Sequence, residues 1–359
     1  MVGVERVLFV APVMEPRGTS EYTVNLASEL QRRGVSVTVC CGPGSMVELM
    51  RRRDIPFQIF NRLESWLFRF SDARRLLRVA REFKPEVIHG QTVRGGRVMR
   101  YLARRMDART VLTVHCPPER PRSFRRLARR IDGIIATSQT VRESLVNVCR
   151  LKKGKIVVVH NGVDWDALSQ REPPPLFAGK QPVVGSIGPV ERARGQELFL
   201  EAAAQLRGLG KDLQFLVAGQ GEQLPELRRL AGTLKLEDRL TLVSDFSDYD
   251  EVLGAVDVVV QSSQVDVSGF SILGSMARGR PVIAFNTGTA CEMIEDGKTG
   301  LIVPRERVES LTRAILEMTE NPDRARRMGE AGRQAVAQKF NVREAADATL
   351  RFYNILLSS

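Results

Sequence analysis

Short runs of β-branched and other apolar residues alternate along the chain with longer stretches in which apolar residues recur every three or four positions. The short runs are typical of buried parallel strands, and the longer periodic stretches are typical of amphipathic helices. Regular alternation of the two predicts parallel sheets with helices on both faces. We therefore predict an α/β protein of the doubly wound type.

Each half of the chain contains six strand-like runs. In the first half they are RVLFVAP, VSVTVCC, EVIHG, TVLTVH, GIIATS and KIVVVHN. In the second half they are VVGSIG, LQFLVAG, LTLVSD, VVVQSS, PVIAF and GLIVP. Each half also opens on a strand, a glycine-bearing loop and a helix. We therefore expect two tandem Rossmann-like domains whose carboxyl strand edges face a central cleft, where ligands bind in such folds.

A polar segment from Ser169 to Pro182 separates the two halves and contains three consecutive prolines, which no regular element accommodates. We predict a first domain over residues 1–168, a linker over 169–182 and a second domain over 183–340. The remaining residues, 341–359, are predicted to form a C-terminal helix.

Composition argues against a membrane-spanning, secreted or zinc-binding protein. No apolar run reaches the roughly 18 to 20 residues that span a bilayer, and the first strand-like run is too short and wrongly flanked for a signal peptide. The five cysteines form no CxxC pair, so we expect reduced, mostly buried thiols and no zinc site. These features predict a cytoplasmic protein.

Charge distinguishes the two halves. The net charge is +12, but residues 1–165 hold 31 Lys and Arg against 15 Asp and Glu, whereas the remainder holds 23 against 27. A strongly basic half indicates an anionic partner such as phospholipid, a phosphorylated glycan or nucleic acid. No aromatic-and-basic module typical of nucleic-acid binding is present, so we do not expect nucleic acid.

One basic segment, residues 61–83, also carries several aromatic side chains. Arginines beside exposed aromatics favour contact with an anionic membrane surface or acceptor. The alternative is an ordinary amphipathic helix with its aromatics in the core. The candidate contact residues are Trp66, Phe68, Phe70, Arg74 and Arg75.

All three histidines, His89, His115 and His160, fall at the ends of predicted strands, which is the ligand edge of a parallel sheet. Of these, His115 is the preferred functional candidate, and packing or capping is the alternative for each. A nucleophile pair of His115 with Cys116 is not expected, because neighbouring strand residues point to opposite faces.

Two loops, PRGTSE and GPVERARG, combine glycine, arginine and the start of a helix. Backbone N–H groups at a helix N-terminus with arginines beside them form a site for a diphosphate. The Asp-x-Asp triplets beginning at Asp164 and Asp248 are interpreted as helix caps rather than metal ligands, so no metal site is predicted.

Several ordered motifs across some 300 residues are similar to those of the GT-B glycosyltransferases, specifically the large retaining family numbered four. In the first half these are PEVIHGQ, IIATSQTVRESL and VVVHNGVD. In the second half they are FLVAGQGEQLPELRRLA and MARGRPVIAFNTGTACEMIEDGKTGLIVP. The resemblance implies that a nucleoside-diphosphate sugar binds mainly on the second domain and the acceptor on the first. It also implies that no metal or other cofactor is needed, and that the final helix crosses back to the first domain.

Carried over to this chain, the resemblance places His115 beside the donor sugar and assigns Asp266 the role of a carboxylate at the sugar, so both are candidate catalytic residues. The implied donor-binding residues are Gly18, Gly188, Arg192, Arg194, Gly219, Gly269, Phe270, Ser271 and Gly274.

This chain departs from the family pattern at several positions, including Arg194 in place of Lys and Thr289 in place of Gly. The family has Arg directly after the residue matching Gly188, where this chain has Pro189. Its pattern of Glu, seven residues and Glu is Asp266, seven residues and Gly274 here. The second Glu of the family holds the ribose hydroxyls, so its absence here implies that this chain binds the nucleotide more weakly or through different contacts.

The leading hypothesis is a glycosyltransferase that moves a sugar, with retention, to an anionic or membrane-associated acceptor in synthesis of a cell-surface glycan or glycolipid such as lipopolysaccharide. Peripheral binding to the inner face of the cytoplasmic membrane is part of this hypothesis. The alternative is a catalytically silent GT-B protein that acts as a scaffold for an active transferase. A sugar-nucleotide epimerase is a third interpretation, but its added acid and base residues are not found in the sequence.

Overall fold

The computed structural model describes residues 3–11, 13–15, 18–61, 63, 70–170, 172–173, 175–179, 181–244, 249–265 and 268–359. The chain forms two units of similar size. The first consists of Met1–Gly162 together with Asn341–Ser359, and the second is Val163–Phe340.

The first unit contains a seven-stranded sheet in which every neighbouring pair of strands is parallel. Its strands are β1 (Arg6–Ala11), β2 (Ser36–Cys41), β3 (Phe57–Ile59), β4 (Val87–Gly90), β5 (Arg109–Val114), β6 (Gly133–Ala136) and β7 (Ile156–Val158). They are arranged in the order β3-β2-β1-β4-β5-β6-β7. From β1 the chain adds strands toward one edge of the sheet (β2, β3) and then toward the other (β4 to β7). The switch point between β1 and β4 is where doubly wound folds bind ligands.

Helices cover both faces of this sheet. They are α1 (Gly18–Arg32), α2 (Met46–Arg52), α3 (Phe70–Phe83), α4 (Gly95–Ala103), α5 (Pro121–Ala128), α6 (Gln139–Asn147) and α15 (Val342–Leu357). Apolar side chains of α3, α4, α5 and α6 share one core with Leu8, Ile88 and Leu112 of the strands. On the opposite face, α15 reaches the sheet through Tyr353, whose hydroxyl bonds His89.

The second unit repeats this architecture with six parallel strands. These are β8 (Val183–Ile187), β9 (Gln214–Ala218), β10 (Leu240–Val243), β11 (Val258–Gln261), β12 (Val282–Phe285) and β13 (Leu301–Val303). The order is β10-β9-β8-β11-β12-β13, so the switch point lies between β8 and β11. Its helices are α7 (Trp165–Ser169), α8 (Gln196–Gly208), α9 (Leu224–Thr233), α10 (Tyr249–Gly254), α11 (Phe270–Ala277), α12 (Gly288–Met293), α13 (Val308–Glu320) and α14 (Pro322–Lys339).

The doubly wound α/β class predicted from the alternation of strands and helices is confirmed, and all twelve predicted strands are present. The additional strand, β3, has only three residues, so it carries too short a pattern to be recognised. Among the described residues, no helix is long and apolar enough to cross a membrane.

The proline-rich segment between α7 and β8 is fixed to the second unit by two buried side chains. The Arg278 guanidinium donates to the carbonyls of Leu168 (3.3 Å) and Glu172 (3.1 Å). The Asp257 carboxylate accepts the N–H groups of Phe177 and Val183. Backbone groups at the described positions in and around this segment are thus satisfied by Arg278, which follows α11, and by Asp257, which precedes β11.

Candidate active site

His115 lies directly after β5 at the carboxyl edge of the first sheet and is only 7% exposed. The edge of its ring meets Tyr22 of α1, with ring centroids 4.9 Å apart and planes at 81°. Burial lowers the pKa of His115 to about 4, although a backbone hydrogen bond with Gln91 acts in the opposite direction. The imidazole is therefore neutral at physiological pH.

His89, one strand away in β4, is also fully buried but has different partners. Its Nδ1 lies 2.5 Å from the Tyr353 hydroxyl, and its Nε2 lies 2.7 Å from Thr113 Oγ1. Burial, with a smaller contribution from His115, lowers the pKa of His89 to about 3. With both nitrogens bonded, His89 serves the packing of α15 on the sheet, which was the alternative considered for it from the sequence.

Gln91 and Glu21 are two polar residues at this edge that the sequence pattern did not single out. Gln91 follows β4 and is 1% exposed, and neither its amide nitrogen nor its oxygen has a partner among the described residues. Glu21 lies in the first turn of α1, and burial raises its pKa to about 7. Only their positions in the sequence could have identified them, because both residues flank the switch point between β1 and β4.

Gly18 is the first residue of α1, so the predicted loop does lead into a helix N-terminus at this edge.

The carboxyl edge of the second sheet is built from closely approaching backbone. Gly188 follows β8 with φ of 138°, and a Cβ there would lie 3.1 Å from Ser271 Oγ. A Cβ on Gly219, which follows β9, would lie only 1.9 Å from the Gly188 carbonyl oxygen. At Gly221 it would lie 2.0 Å from the carbonyl oxygen of Val190. Glycine is thus required here for contact between two loops, in addition to any role toward a ligand.

The loop after β8 carries both predicted arginines on one short 3₁₀ turn, Arg192–Arg194. Arg192 is exposed and Arg194 is half-buried, and the carbonyl of Arg194 accepts from Ser262 Oγ (3.3 Å). Gly195 ends the turn in the left-handed region (φ 65°) and precedes α8 without a side-chain cap. The turn therefore brings two cations close to an uncapped helix N-terminus, an arrangement suited to a diphosphate.

A second uncapped N-terminus is that of α11, in the stretch GFSILG. Gly269 precedes it at φ 73° and provides no side-chain hydrogen bond to its first N–H groups. The Ser271 side chain is half-buried, whereas Phe270 is 7% exposed. Phe270 is therefore a core side chain that offers a ligand its backbone N–H, and not its ring.

Gly274 is half-buried on α11, and a Cβ added there would meet no atom within 4 Å. The position to which the resemblance assigns a family glutamate thus has room for a side chain. Ser275 is not a replacement, because it is 1% exposed and its hydroxyl donates to the Ser271 carbonyl at 2.7 Å. Asp266, the candidate carboxylate at the sugar, lies outside the described residues.

The predicted membrane or acceptor residues are only partly described. Trp66 and Phe68 lie outside the described residues, and Phe70 begins α3 with its side chain outside them. Arg74 and Arg75 are exposed. Arg75 is held locally, since its guanidinium donates to Gln58 Oε1 (3.0 Å) and lies 4.9 Å above the Phe60 ring.

Among the described residues, side chains with metal-binding atoms are not clustered at either edge. In the part of the chain that the structure describes, no group of three or more His, Cys, Asp or Glu residues is arranged to hold a metal ion. Asp164 caps α7 by accepting the N–H of Ala167 at 3.3 Å, as interpreted from the sequence. Asp248, of the other triplet, lies outside the described residues.

Two family models divide the chain between them. The model for Glycosyltransferase Family 4 matches residues 16–167, and that for Glycosyl transferases group 1 matches residues 170–335. The chain belongs to the group 1 glycosyltransferases. Enzymes of this family use nucleotide sugars as substrates and are typically independent of metal ions.

Two relatives of this glycosyltransferase illustrate different extents of similarity. The alpha-D-kanosaminyltransferase of Streptomyces kanamyceticus is 31% identical over 48% of this chain and 45% of its own length. The chain thus matches less than half of that relative. The lipopolysaccharide core biosynthesis glycosyltransferase LpsE of Rhizobium meliloti (strain 1021) is 27% identical over 93% of this chain and 95% of its own.

The solved structure of Anabaena HepE in complex with UDP-glucose is similar to this glycosyltransferase over 97% of this chain and 98% of that chain, with a TM-score of 0.83 and 20% identity. At this identity the likeness establishes the GT-B fold. It leaves the donor and acceptor to be argued from the site itself.

Proposed function

We propose that this protein transfers a sugar, with retention, from a nucleoside-diphosphate sugar to an anionic or membrane-associated acceptor. The observation that carries the proposal is the carboxyl edge of the second sheet. Two uncapped helix N-termini, those of α8 and α11, lie there beside Arg192 and Arg194. Such an edge stabilises a departing diphosphate without a metal ion.

In this proposal His115 and Asp266 lie at the donor sugar. The neutral imidazole of His115 supports a role as a hydrogen-bonding group toward the sugar and not as a cation for the phosphates, because its pKa is held near 4. Retention is proposed from the resemblance to family four. The lipopolysaccharide core enzyme LpsE, matched over nearly the full length of both chains, supports an acceptor in a cell-surface glycolipid or glycan.

The acceptor class is supported by three neighbouring helices of the first unit. α3, α4 and α5 bury their apolar sides in the same core. The exposed arginines on and after these helices form what we call the arginine face: Arg74, Arg78, Arg81, Arg104, Arg122, Arg126, Arg129 and Arg130.

No described residue neutralises the arginines of this face. Their side chains make no ion pair or hydrogen bond with any described residue. The acidic residues near these arginines are fewer: Asp72, Glu82, Glu86, Asp107, Glu119 and Asp132, of which Glu86, Asp107 and Asp132 line one cavity with Arg104 and Arg130. A surface of unpaired guanidinium groups matches anionic lipid headgroups, each near-surface Arg contributing about 1 kcal/mol of attraction. We therefore propose that the arginine face docks the protein on an anionic membrane.

Thermal-shift measurement with a panel of nucleotides and nucleotide sugars tests the donor half of this proposal. A ligand that binds only the folded protein raises the Tm by an amount set by its affinity. We expect at least one nucleoside diphosphate and its sugar to raise the Tm, UDP and UDP-glucose being the first pair to test. A panel that shifts nothing contradicts the proposal and leaves the silent scaffold as the better interpretation.

Co-sedimentation with vesicles tests the membrane half. We expect binding to vesicles rich in phosphatidylglycerol, loss of binding at high salt, and little binding to phosphatidylcholine. Reversing charge at Arg122 and Arg126 should weaken binding, whereas the same change at Arg228 and Arg229 of the second unit provides a matched control. Equal binding to both kinds of vesicle contradicts this half alone.

A further inference from the structure

A cavity of about 840 Å³ lies at the amino edge of the first sheet, away from the candidate active site. Glu86 directly before β4, Arg109 at the start of β5 and Asp132 directly before β6 all line it. β5 leads from Arg109 at this cavity to His115 at the carboxyl edge, a distance of roughly 20 Å at about 3.3 Å per residue. The cavity is therefore distinct from the edge at which His115 lies, and its volume is that of a small-molecule site.

Charged side chains of both signs line this cavity, and all of them belong to the first unit: four are arginines and three are carboxylates. Arg104 and Arg130 follow the ends of α4 and α5, where a cation stabilises the helix dipole. Arg109 begins a strand and has no such role. Its half-buried guanidinium forms no hydrogen bond or ion pair with any described residue, so its position in the cavity requires another explanation.

The carboxylates of the cavity form no ion pair with these three arginines in the described part of the chain. Glu86 uses one oxygen, Oε2, to accept two backbone N–H groups at the start of β1. Asp132, which also lies near Lys155, uses Oδ2 to accept the N–H (2.8 Å) and the hydroxyl (2.6 Å) of Thr110. Asp107 is exposed and has no bonded partner among the described residues. Guanidinium donors and carboxylate acceptors thus line one cavity with bonding capacity left for a ligand.

These two kinds of side chain specify the ligand. Guanidinium groups bind phosphate oxygens through parallel hydrogen bonds. Ionised carboxylates only accept, so they repel a bare phosphate and bind a ligand that supplies hydroxyl protons. A neutral sugar leaves the arginines without a counter-charge, and a zwitterion is disfavoured because the arginines outnumber the acids. A phosphate attached to a polyhydroxylated chain or ring satisfies both kinds of side chain.

We propose that this cavity, which we call the amino-edge site, binds a phosphorylated polyol, either a free sugar phosphate or the phosphoglycerol headgroup of an anionic lipid. Arg104, Arg109 and Arg130 hold the phosphate, and Asp107 accepts protons from the hydroxyl groups. Arg104 and Arg130 also belong to the arginine face, so the site lies beside the surface that we propose for the membrane. It takes no part in sugar transfer and does not depend on the proposed function.

Calorimetry on single variants of the full chain tests this site. The probes are glucose 6-phosphate, glycerol 1-phosphate, inorganic phosphate, phosphoethanolamine and glucose, and the test variants are Arg109→Gln and Asp107→Ala. Arg78→Gln is the matched control within the arginine face, because Arg78 is exposed and does not line the cavity. Arg194→Gln is the control for phosphate bound at the edge of the second sheet. Co-sedimentation with vesicles of phosphatidylglycerol or phosphatidylserine, at equal charge, distinguishes a lipid headgroup from a free sugar phosphate.

We expect at least one of the two polyol phosphates to bind about fivefold or more tightly than inorganic phosphate, and glucose not to bind. Arg109→Gln should weaken this binding at least about tenfold, whereas Arg78→Gln and Arg194→Gln should change it less than about twofold. Asp107→Ala should reduce the preference over inorganic phosphate. The Tm of Arg109→Gln should stay within about 3 °C of the wild type, because the side chain forms no bond that its loss would break. If Arg109→Gln does not fold, the exposed Arg104→Gln is expected to show the same loss of binding.

The vesicle measurements identify the source of the ligand. Weaker binding of Arg109→Gln to phosphatidylglycerol but not to phosphatidylserine assigns the site to the lipid headgroup, and unchanged vesicle binding with loss of polyol phosphate binding assigns it to a free sugar phosphate.

Several results would overturn the inference. One is that neither polyol phosphate binds below about 10 mM and that Arg109→Gln treats both kinds of vesicle as the wild type does. Equal Kd values for inorganic phosphate and the polyol phosphates indicate a simple anion site, and tighter binding of phosphoethanolamine indicates a zwitterion site. Binding that is lost in Arg194→Gln and kept in Arg109→Gln places the phosphate at the second sheet. Each of these results leaves the proposed function standing, because none involves binding of a nucleotide sugar.

Discussion

The carboxyl edges of the two sheets are built by different means. In the second unit the edge is made of backbone: Gly188, Gly219 and Gly221 let two loops touch, and α8 and α11 begin without side-chain caps. In the first unit the edge is made of buried side chains, some bonded within the protein, as His89 is, and some without a partner among the described residues, as the Gln91 amide is. A backbone edge suits a diphosphate, which needs N–H donors and positive charge. A side-chain edge suits the hydroxyl groups of a sugar.

This difference predicts how substitutions at each edge affect ligand binding and stability. At the backbone edge, any side chain that replaces a contact glycine displaces a loop, so loss of binding and loss of stability should occur together. At the side-chain edge the two effects should separate, because residues bonded within the protein, such as His89, stabilise the fold, whereas His115 is the residue that we propose for contact with the sugar.

Gly219→Ala should give the largest effect on stability. The added Cβ would lie 1.9 Å from the Gly188 carbonyl oxygen, so the loop after β8 must move. We expect the free energy of unfolding of the second unit to fall by about 3 kcal/mol or more, with nucleotide binding lost. Urea denaturation measures the change. Gly208→Ala, where a Cβ meets nothing within 4 Å, is the control and should not destabilise.

Tyr353→Phe should destabilise the first unit without affecting substrate binding. It removes the hydroxyl bonded to His89 Nδ1, which leaves a fully buried nitrogen unpaired. We expect a loss of about 1 to 3 kcal/mol in urea denaturation. If nucleotide-sugar affinity falls as much as stability does, the separation between bonded and unpaired residues at this edge is wrong.

The pH dependence of stability should reflect His115. Its pKa is about 4 in the folded protein and 6.5 in the unfolded chain. Since the folded pKa is the lower one, the unfolded chain binds more protons between pH 6.5 and 4, and the contribution of His115 to stability is lost as pH falls through that range. The slope is up to about 1.4 kcal/mol per pH unit. His115→Gln should remove that share of the slope, whereas an identical slope in both proteins contradicts the low folded pKa.

Gly274→Glu should give the smallest effect, which is a gain in nucleotide affinity. The position is open, and the glutamate of the family pattern there is expected to hold the ribose hydroxyls. We expect nucleotide affinity to rise about fivefold to tenfold relative to Gly274→Ala, which controls for the better helix propensity of a non-glycine residue. Equal affinity in the two variants means that the ribose lies elsewhere.

Much of the fold could be predicted from the sequence, because buried parallel strands such as β8 and β12 carry continuous apolar runs. The three-residue β3 carries no such run. At the site, the sequence predicted the helix starts that follow the loops PRGTSE and GPVERARG, and these are the starts of α1 and α8. The sequence does not show which residues form hydrogen bonds with each other: whether His89 finds a partner depends on Tyr353, which lies 264 positions away along the chain. For the same reason Gln91 could be recognised only from the structure.

The most direct test of the account is turnover of a nucleotide-sugar panel, followed by NMR of the anomeric product. The account predicts that at least one α-linked donor is hydrolysed or transferred to give an α-configured product, and that His115→Gln reduces this turnover at least about a hundredfold while leaving nucleotide affinity unchanged. A panel that is neither bound nor turned over by the wild type would contradict it.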